Sequence, residues 1–276
     1  MQFNSIHTVP MSRRNLLCTA PVFLVAGTGP RCVAEPRRPA LAGEVGVTTG
    51  SFVRHLTEEQ QAGKLKLLDL PRVMRDELDM RVIDLMTATL PSLAPDYLRR
   101  LRDASERAGC VLTNLKMNQP GLNLGSDDAV EWKRSLEEYK RTIDAAALLG
   151  VRWVRPLPGP KRPDLARLAS AYRELIEYAS PRGISLLIEN YGWLASDPSA
   201  IPEVIEAVGK GLAAQPDTGN WSDNTVRYIG LARAFPFAVS CDFKARSLGP
   251  AGEHEPYDLK RCFDIGWDAG FRFARQ

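Results

Sequence analysis

From residue 44 onward, the chain alternates between short apolar runs and longer amphipathic segments. A short run rich in apolar and β-branched residues predicts a buried strand, whereas a longer segment with helical periodicity predicts a helix. Repeated alternation of the two predicts a parallel sheet covered by helices, because parallel strands need a crossover connection. The pattern therefore limits the chain to a closed barrel or a doubly wound open sheet.

Eight strands are predicted in this alternation, with helices between them. The strands are 44–49, 81–85, 110–117, 151–155, 184–189, 212–217, 238–244 and 271–273, and the helices are 70–78, 95–108, 128–149, 164–180, one that starts at Asp197 and Pro198, 224–234 and 258–269. No Gly-rich phosphate-binding sequence follows the first strand, as the open sheet would favour. The pattern predicts an α/β fold, a (β/α)₈ TIM barrel over residues 44–276.

The predicted eighth strand is followed by only three residues, so the sequence contains no eighth helix. Either the N-terminal segment or a partner completes the barrel, or the chain is C-terminally truncated relative to its relatives. We expect the truncated form.

The first 34 residues differ from the rest, because they contain three arginines and no acid. Ser12-Arg13-Arg14-Asn15-Leu16-Leu17 resembles a twin-arginine export motif. The apolar stretch 16–26 that follows is too short to span a bilayer. We expect residues 1–34 to be a twin-arginine-type signal peptide, 35–43 a linker, and the protein to be periplasmic, without stable membrane insertion after signal removal. A disordered tail around a chance arginine pair is the alternative, and either Met1 or Met11 is the true start.

Charge and cysteine content exclude several classes of protein. Outside residues 1–34 the chain has 33 basic and 33 acidic residues, so no basic surface for nucleic acid is predicted. Three cysteines, Cys110, Cys241 and Cys262, remain in this part. Their odd number and their wide spacing argue against a disulfide framework and against a zinc-finger site.

Two apolar runs end abruptly in a carboxylate, the first in Glu189 and the second in Asp217. Asp242 lies near the end of the next predicted strand. In a barrel these side chains converge at the carboxyl ends of the strands, where such folds carry their active sites. Three carboxylates so close together repel one another unless a cation lies between them. The alternative for Glu189 is a structural ion pair.

Ile188-Glu189-Asn190, Asp217-Thr-Gly-Asn220 and Asp242-Phe-Lys244, in this order, resemble motifs of the xylose isomerase-like barrels of the sugar phosphate isomerase/epimerase family. The resemblance covers roughly residues 44–273. It implies a divalent ion (Mn²⁺, Mg²⁺, Co²⁺ or Zn²⁺) held by Glu, Asp, His and Glu on strands five to eight. Glu189 and Asp217 match the first two ligands. Asp242 stands where the family has His, which favours hard ions such as Mg²⁺ or Mn²⁺.

The implied activity is proton transfer next to the carbonyl of a sugar or sugar phosphate, through an enediolate. Glu189 would be both ligand and base, and Lys244 matches a lysine that faces the family's site. Residues 271–276 contain no acid to match the fourth ligand, so a one-base isomerase is favoured over a two-base epimerase. The alternative from another class is a non-catalytic or inactive sugar- or metal-binding paralogue. A nuclease of the endonuclease-four kind is disfavoured by the three histidines. Whether the chain forms a homo-oligomer stays open.

Four further residues are candidates for substrate binding. Lys116 and Asn118 follow the third strand, where they either bind substrate hydroxyls or begin a solvated loop. Arg155 ends the fourth strand and either holds an anionic group with its planar guanidinium or pairs with Glu189. Trp221 either stacks on a sugar ring or covers the barrel.

Overall fold

The computed structural model describes residue 41 and residues 44–57 and 63–272. Its centre is a six-stranded parallel sheet in which the strands pair in chain order. The strands are β1 (Gly46–Thr48), β2 (Val82–Met86), β3 (Val111–Met117), β4 (Trp153–Pro156), β5 (Ser185–Ile188) and β6 (Leu212–Ala214). Consecutive parallel pairing with a helical crossover between every pair agrees with the alternation in the sequence.

An α-helix follows each of the six strands, and a seventh helix lies near the end of the described residues. The helices are α1 (Leu70–Leu78), α2 (Pro95–Arg107), α3 (Ala129–Leu149), α4 (Leu165–Ala179), α5 (Ala200–Val208), α6 (Asn224–Ala234) and α7 (Leu259–Asp268). Aspartates cap four of them, α3, α4, α6 and α7, by accepting backbone N–H bonds. The prediction that Asp197 and Pro198 begin a helix was wrong. Asp197 instead accepts from the Ser199 N–H at 2.9 Å in a local turn, and α5 starts at Ala200.

The predicted seventh strand is present only as an extended segment with two isolated parallel bridges. Ala238 pairs with Ala214, and Asp242 pairs with Asp217. The carbonyl of Pro216 faces this segment, since it accepts from the Asp242 N–H at 2.9 Å. The N–H and C=O of one strand residue point the same way, but proline has no N–H. Pro216 therefore interrupts the ladder between the two bridges.

Two buried tyrosines fix the carboxyl end of β4. The Tyr172 hydroxyl of α4 donates to the Pro156 carbonyl at 3.1 Å, and the Tyr139 hydroxyl of α3 bonds both the carbonyl and the N–H of Leu157 at 3.2 Å. Both side chains are fully buried. Because these bonds hold the chain directly after Arg155, they help to set the position of that side chain.

Several expectations fall outside the described residues. These are the signal peptide with Arg13 and Arg14, most of the linker, and Phe273 of the predicted eighth strand. Phe271 and Arg272 are described and belong to no strand. Across the described ranges, no helix combines the length and the apolar character that crossing a membrane requires.

Candidate active site at the carboxyl ends of the strands

A cavity of about 910 Å³ opens at the carboxyl ends of the strands. Parallel strands all deliver their last residues to this side, so side chains far apart in the sequence meet there. The charged residues of its wall are Glu44, Lys116, Arg155, Glu189, Asp217, Asp242, Lys244 and Lys260. The volume suits a small-molecule ligand.

Glu189, Asp217 and Asp242, here called the acidic triad, converge in this cavity. One carboxylate oxygen of each lies within 4.8 Å of the others. Oxygen ligands lie about 2.0–2.6 Å from Mg²⁺ or Ca²⁺, so two oxygens on one ion are at most about 4–5 Å apart. The triad therefore fits a single divalent cation with oxygen ligands.

Three basic side chains, Lys116, Arg155 and Lys244, here called the basic trio, each contact a different member of the triad. Arg155 forms an ion pair with Glu189. The Lys116 ammonium lies 2.7 Å from both oxygens of Asp242, and the Lys244 ammonium lies 2.6 Å from Asp217 Oδ2. The triad and the trio together form a cluster with equal numbers of opposite charges.

The two aspartates of the triad respond differently to this environment. Burial raises the pKa of Asp217, and repulsion from Asp242 raises it further, against the attraction of Lys244. Burial also opposes the ionisation of Asp242, but Lys116 and Arg155 outweigh it and lower the pKa of that carboxyl. Of these two aspartates, Asp242 is the one that its neighbours hold more firmly in the charged form.

The segment after β6 is held by reciprocal hydrogen bonds. The Asn190 side chain donates to the Asp217 carbonyl at 2.9 Å and accepts from the Asp217 N–H at 2.7 Å. The Thr218 hydroxyl accepts from the Lys244 N–H at 3.0 Å. A Cβ on Gly219 would lie 2.8 Å from Lys244 Cδ, so a residue without a side chain is needed where Lys244 crosses the backbone.

The structure shows the surroundings of two basic residues for which alternatives were left open. Lys116 does not begin a solvated loop; it lies within β3 with a side chain only 3% exposed. Arg155 is paired with Glu189, and it also donates to Asn118 Oδ1 at 2.9 Å. Asn118 lines the cavity as expected.

Trp221 does not lie where it could contact a ligand in the cavity. It is 4% exposed and is absent from the cavity wall. A Cβ on Gly230 of α6 would overlap its indole ring, which shows how closely the ring packs beneath that helix. Its position is that of a core side chain, because the glycine lets the helix approach the ring.

Asn220 was assigned no role from the sequence, although it links the acidic triad to the basic trio. Its amide donates to Glu189 Oε1 at 2.9 Å, and its carbonyl oxygen accepts from the Lys244 ammonium at 2.6 Å. Its place at the end of the Asp217-Thr-Gly-Asn220 motif was the available signal. Phe243 and Phe263 also line the cavity, with ring centroids 6.4 Å apart, and no spacing in the sequence indicated that they would meet.

Comparison with known proteins places the chain in a family. The sequence profile of the xylose isomerase-like TIM barrel family matches residues 76–272. The chain belongs to this family. The resemblance seen in the three strand-end motifs is thereby confirmed, and so is the barrel fold. Among curated protein sequences, none matches the chain significantly.

Solved structures of this xylose isomerase-like barrel fold include sugar epimerases. A xylose isomerase domain protein from Planctomyces limnophilus is 15% identical with a TM-score of 0.63, covering 84% of this chain and 89% of its own. A D-psicose 3-epimerase, determined in the presence of D-fructose, is 16% identical with a TM-score of 0.63. The match covers 83% of this chain and 82% of the epimerase. A barrel protein from Mycobacterium smegmatis in complex with magnesium is 17% identical with a TM-score of 0.59, covering 84% and 88%. Likeness at this level of identity concerns the fold.

Proposed function

We propose that this xylose isomerase-like barrel is a divalent-metal-dependent isomerase or epimerase that acts on a sugar or sugar phosphate. The observation that carries the proposal is the convergence of the acidic triad in a cavity at the carboxyl ends of the strands. The names of similar structures, a D-psicose 3-epimerase and an L-ribulose 3-epimerase, support the reaction class. The magnesium complex of the Mycobacterium smegmatis barrel supports the metal.

In the proposed reaction, Glu189 takes the proton from the hydroxyl-bearing carbon next to the substrate carbonyl and returns it to the carbonyl carbon. The proton of that hydroxyl moves to the carbonyl oxygen, so the carbonyl and hydroxyl groups exchange places. Asn220 and Arg155 contact the two oxygens of Glu189 and so orient the carboxylate. A divalent ion held by the triad would supply Lewis-acid polarisation of the carbonyl. The other described acid on the cavity wall, Glu44, pairs with Arg81 at 2.8 Å, which favours a single base and therefore an isomerase.

Metal content and proton exchange test the proposal. The Glu189→Gln variant is expected to bind less divalent ion than the wild type, measured by elemental analysis of protein in equilibrium dialysis against excess Mn²⁺. Glu44→Gln is the matched control, since it makes the same change on the same cavity wall, in a carboxylate that also pairs with an arginine but lies outside the triad. Equal occupancy in Glu189→Gln and the wild type would refute the metal site.

A panel of ketoses and ketose phosphates incubated in D₂O tests the reaction itself. The wild type is expected to introduce deuterium at the carbon next to the carbonyl, and Glu189→Gln is expected to abolish the exchange. Absence of exchange with every member of the panel would contradict an isomerase.

A sugar-binding barrel without turnover is the second candidate. The observation that favours it is the pairing of every triad carboxylate with a basic side chain of the chain itself. A binding protein would shift its melting temperature with a sugar but exchange no carbon-bound proton, so the D₂O experiment separates the two.

A further inference from the structure

All six carboxylate oxygens of the acidic triad are already in contact with groups of the chain. Lys116 contacts both oxygens of Asp242. On Asp217, Oδ1 accepts from the Gly219 N–H at 2.6 Å and Oδ2 contacts Lys244. The oxygens of Glu189 contact Asn220 and Arg155. A cation that binds the triad must therefore displace basic side chains from at least some of these oxygens.

The two lysines differ in how they can make room for a cation. The side chain of Lys244 is 34% exposed, so its ammonium can turn from Asp217 into the cavity. The side chain of Lys116 is 3% exposed, but its ammonium also lies 3.7 Å from Asp84 Oδ2. Lys116 thus has a second carboxyl beside it. The described contacts of the Lys244 ammonium are Asp217 and Asn220, and Asp242, itself a ligand of the proposed cation, attracts it from further away. Lys244 is the group that cation binding leaves without a counter-charge.

The cluster acquires a net positive charge when a divalent cation enters. Three carboxylates and three basic groups sum to zero, so the cation leaves a net charge of +2, or +1 if Asp84 is ionised. Uncompensated charge in a largely buried site is costly, and a neutral sugar supplies no compensation. A ligand with its own negative charge removes this cost.

We propose, resting on the function proposed above, that the substrate is an anionic sugar and that metal and substrate bind cooperatively. In this arrangement the displaced Lys244 ammonium binds the anionic group, a phosphate or a carboxylate, while the triad holds the cation. A phosphate or carboxylate oxygen is the partner that an ammonium prefers. Metal alone binds weakly, because it must separate ion pairs and leave positive charge in the cavity.

Binding of Mn²⁺ to the metal-free full-length protein, followed by calorimetry and by electron paramagnetic resonance, tests this proposal. The probes are D-fructose, D-fructose 6-phosphate and D-glucuronate, which distinguish a neutral sugar, a phosphate and a carboxylate. At least one anionic probe is expected to tighten Mn²⁺ binding about tenfold or more, and D-fructose is expected to leave it nearly unchanged. Coupling between two ligands is reciprocal, so Mn²⁺ must tighten binding of the same probe by the same factor.

The Lys244→Met variant tests whether the enhancement of Mn²⁺ binding depends on the Lys244 ammonium. Without the competing ammonium, Mn²⁺ alone is expected to bind more tightly than to the wild type, and the enhancement by the anionic probe is expected to be lost. Lys260→Met is the matched control, because Lys260 also lines the cavity and contacts an aspartate, Asp264 at 2.6 Å, but is 82% exposed and outside the cluster. Thermal melting of each variant confirms that it is folded.

The outcomes separate this inference from the proposed function. Equal enhancement by D-fructose and the anionic probes, or full enhancement in Lys244→Met, would overturn the anionic-substrate inference while leaving the metal site intact. Tight Mn²⁺ binding that no probe alters would do the same. Absence of Mn²⁺ binding under every condition would overturn both.

Discussion

The ion pair between Arg155 and Glu189 gives the most direct prediction about stability. Arg155 is 2% exposed and Glu189 is 5% exposed, so both charges are removed from water and depend on each other. Breaking a buried ion pair by removing one partner costs about 3–5 kcal/mol, because the other charge stays buried and uncompensated. We therefore expect both Glu189→Gln and Arg155→Met to destabilise the protein by about this amount.

The surroundings of the pair predict which of the two variants loses more unfolding free energy. In Glu189→Gln, Arg155 keeps its hydrogen bond to Asn118 and the attraction of Asp242 and Asp217, so a loss near 3 kcal/mol is expected. In Arg155→Met, Glu189 keeps the bond from Asn220 but faces two aspartates, so a loss near 5 kcal/mol is expected. The double variant Arg155→Met/Glu189→Gln contains neither charge. Its free energy of unfolding should therefore lie within about 2 kcal/mol of the wild-type value.

Urea unfolding in the presence of EDTA measures these free energies without a contribution from metal. For a domain of this size the single variants should also melt about 6–20 °C below the wild type, at about 2–4 °C per kcal/mol. The control is Arg99→Met on the surface of α2, whose pair with Asp96 is exposed and should contribute little. Losses that simply add in the double variant, or a loss below about 1 kcal/mol in Glu189→Gln, would refute the description of the pair as buried and mutually dependent.

Three other predictions concern packing, pH and export. Gly230→Ala should lower the free energy of unfolding by about 1–3 kcal/mol, because the added Cβ overlaps the ring of Trp221, and an unchanged urea midpoint would contradict this. Burial raises the pKa of Asp84 in the folded protein above its value in the unfolded chain. The contribution of Asp84 to stability is therefore fully present below the unfolded-state pKa, and it is lost as the pH rises through the folded-state pKa. Asp84→Asn should therefore gain stability relative to the wild type as the pH rises above the ordinary pKa of an aspartate, about 4, and a difference that stays constant with pH would rule this out. Replacing Arg13 and Arg14 by Lys should leave the precursor in the cytoplasm on cell fractionation; normal export would exclude the twin-arginine route.

Local signals in the sequence were sufficient for most elements of the fold. The ranges predicted for α1 and α6 coincide with the observed helices. Proline in the first turn of α1 and a capping Asp223 before α6 are short-range features that a sequence contains in full. The seventh strand was predicted too long because the residue that interrupts it, Pro216, lies on the neighbouring segment.

The positions of the triad followed from the fold, but its partners did not. Once parallel strands are assumed, residues at their carboxyl ends must share one side of the sheet, and this places Glu189, Asp217 and Asp242 together. The pairing of Lys116 with Asp242 joins residues 126 apart in the chain and depends on side-chain directions across the barrel. No spacing in the sequence encodes that pairing.

The basic trio also separates folding from metal binding. A triad without counter-charges would need a cation to relieve its repulsion, and the apo protein would then be unstable, as in small domains whose folding depends on zinc. Here the carboxylates are each balanced by Lys116, Arg155 or Lys244, so the barrel does not require the metal to keep the strand ends together. The same pairing would make a cation bound as proposed a competitor for groups that already stabilise the fold. In that proposed complex, metal affinity would depend on the ligand that accepts the displaced charge, so the substrate as well as the triad would determine metal occupancy.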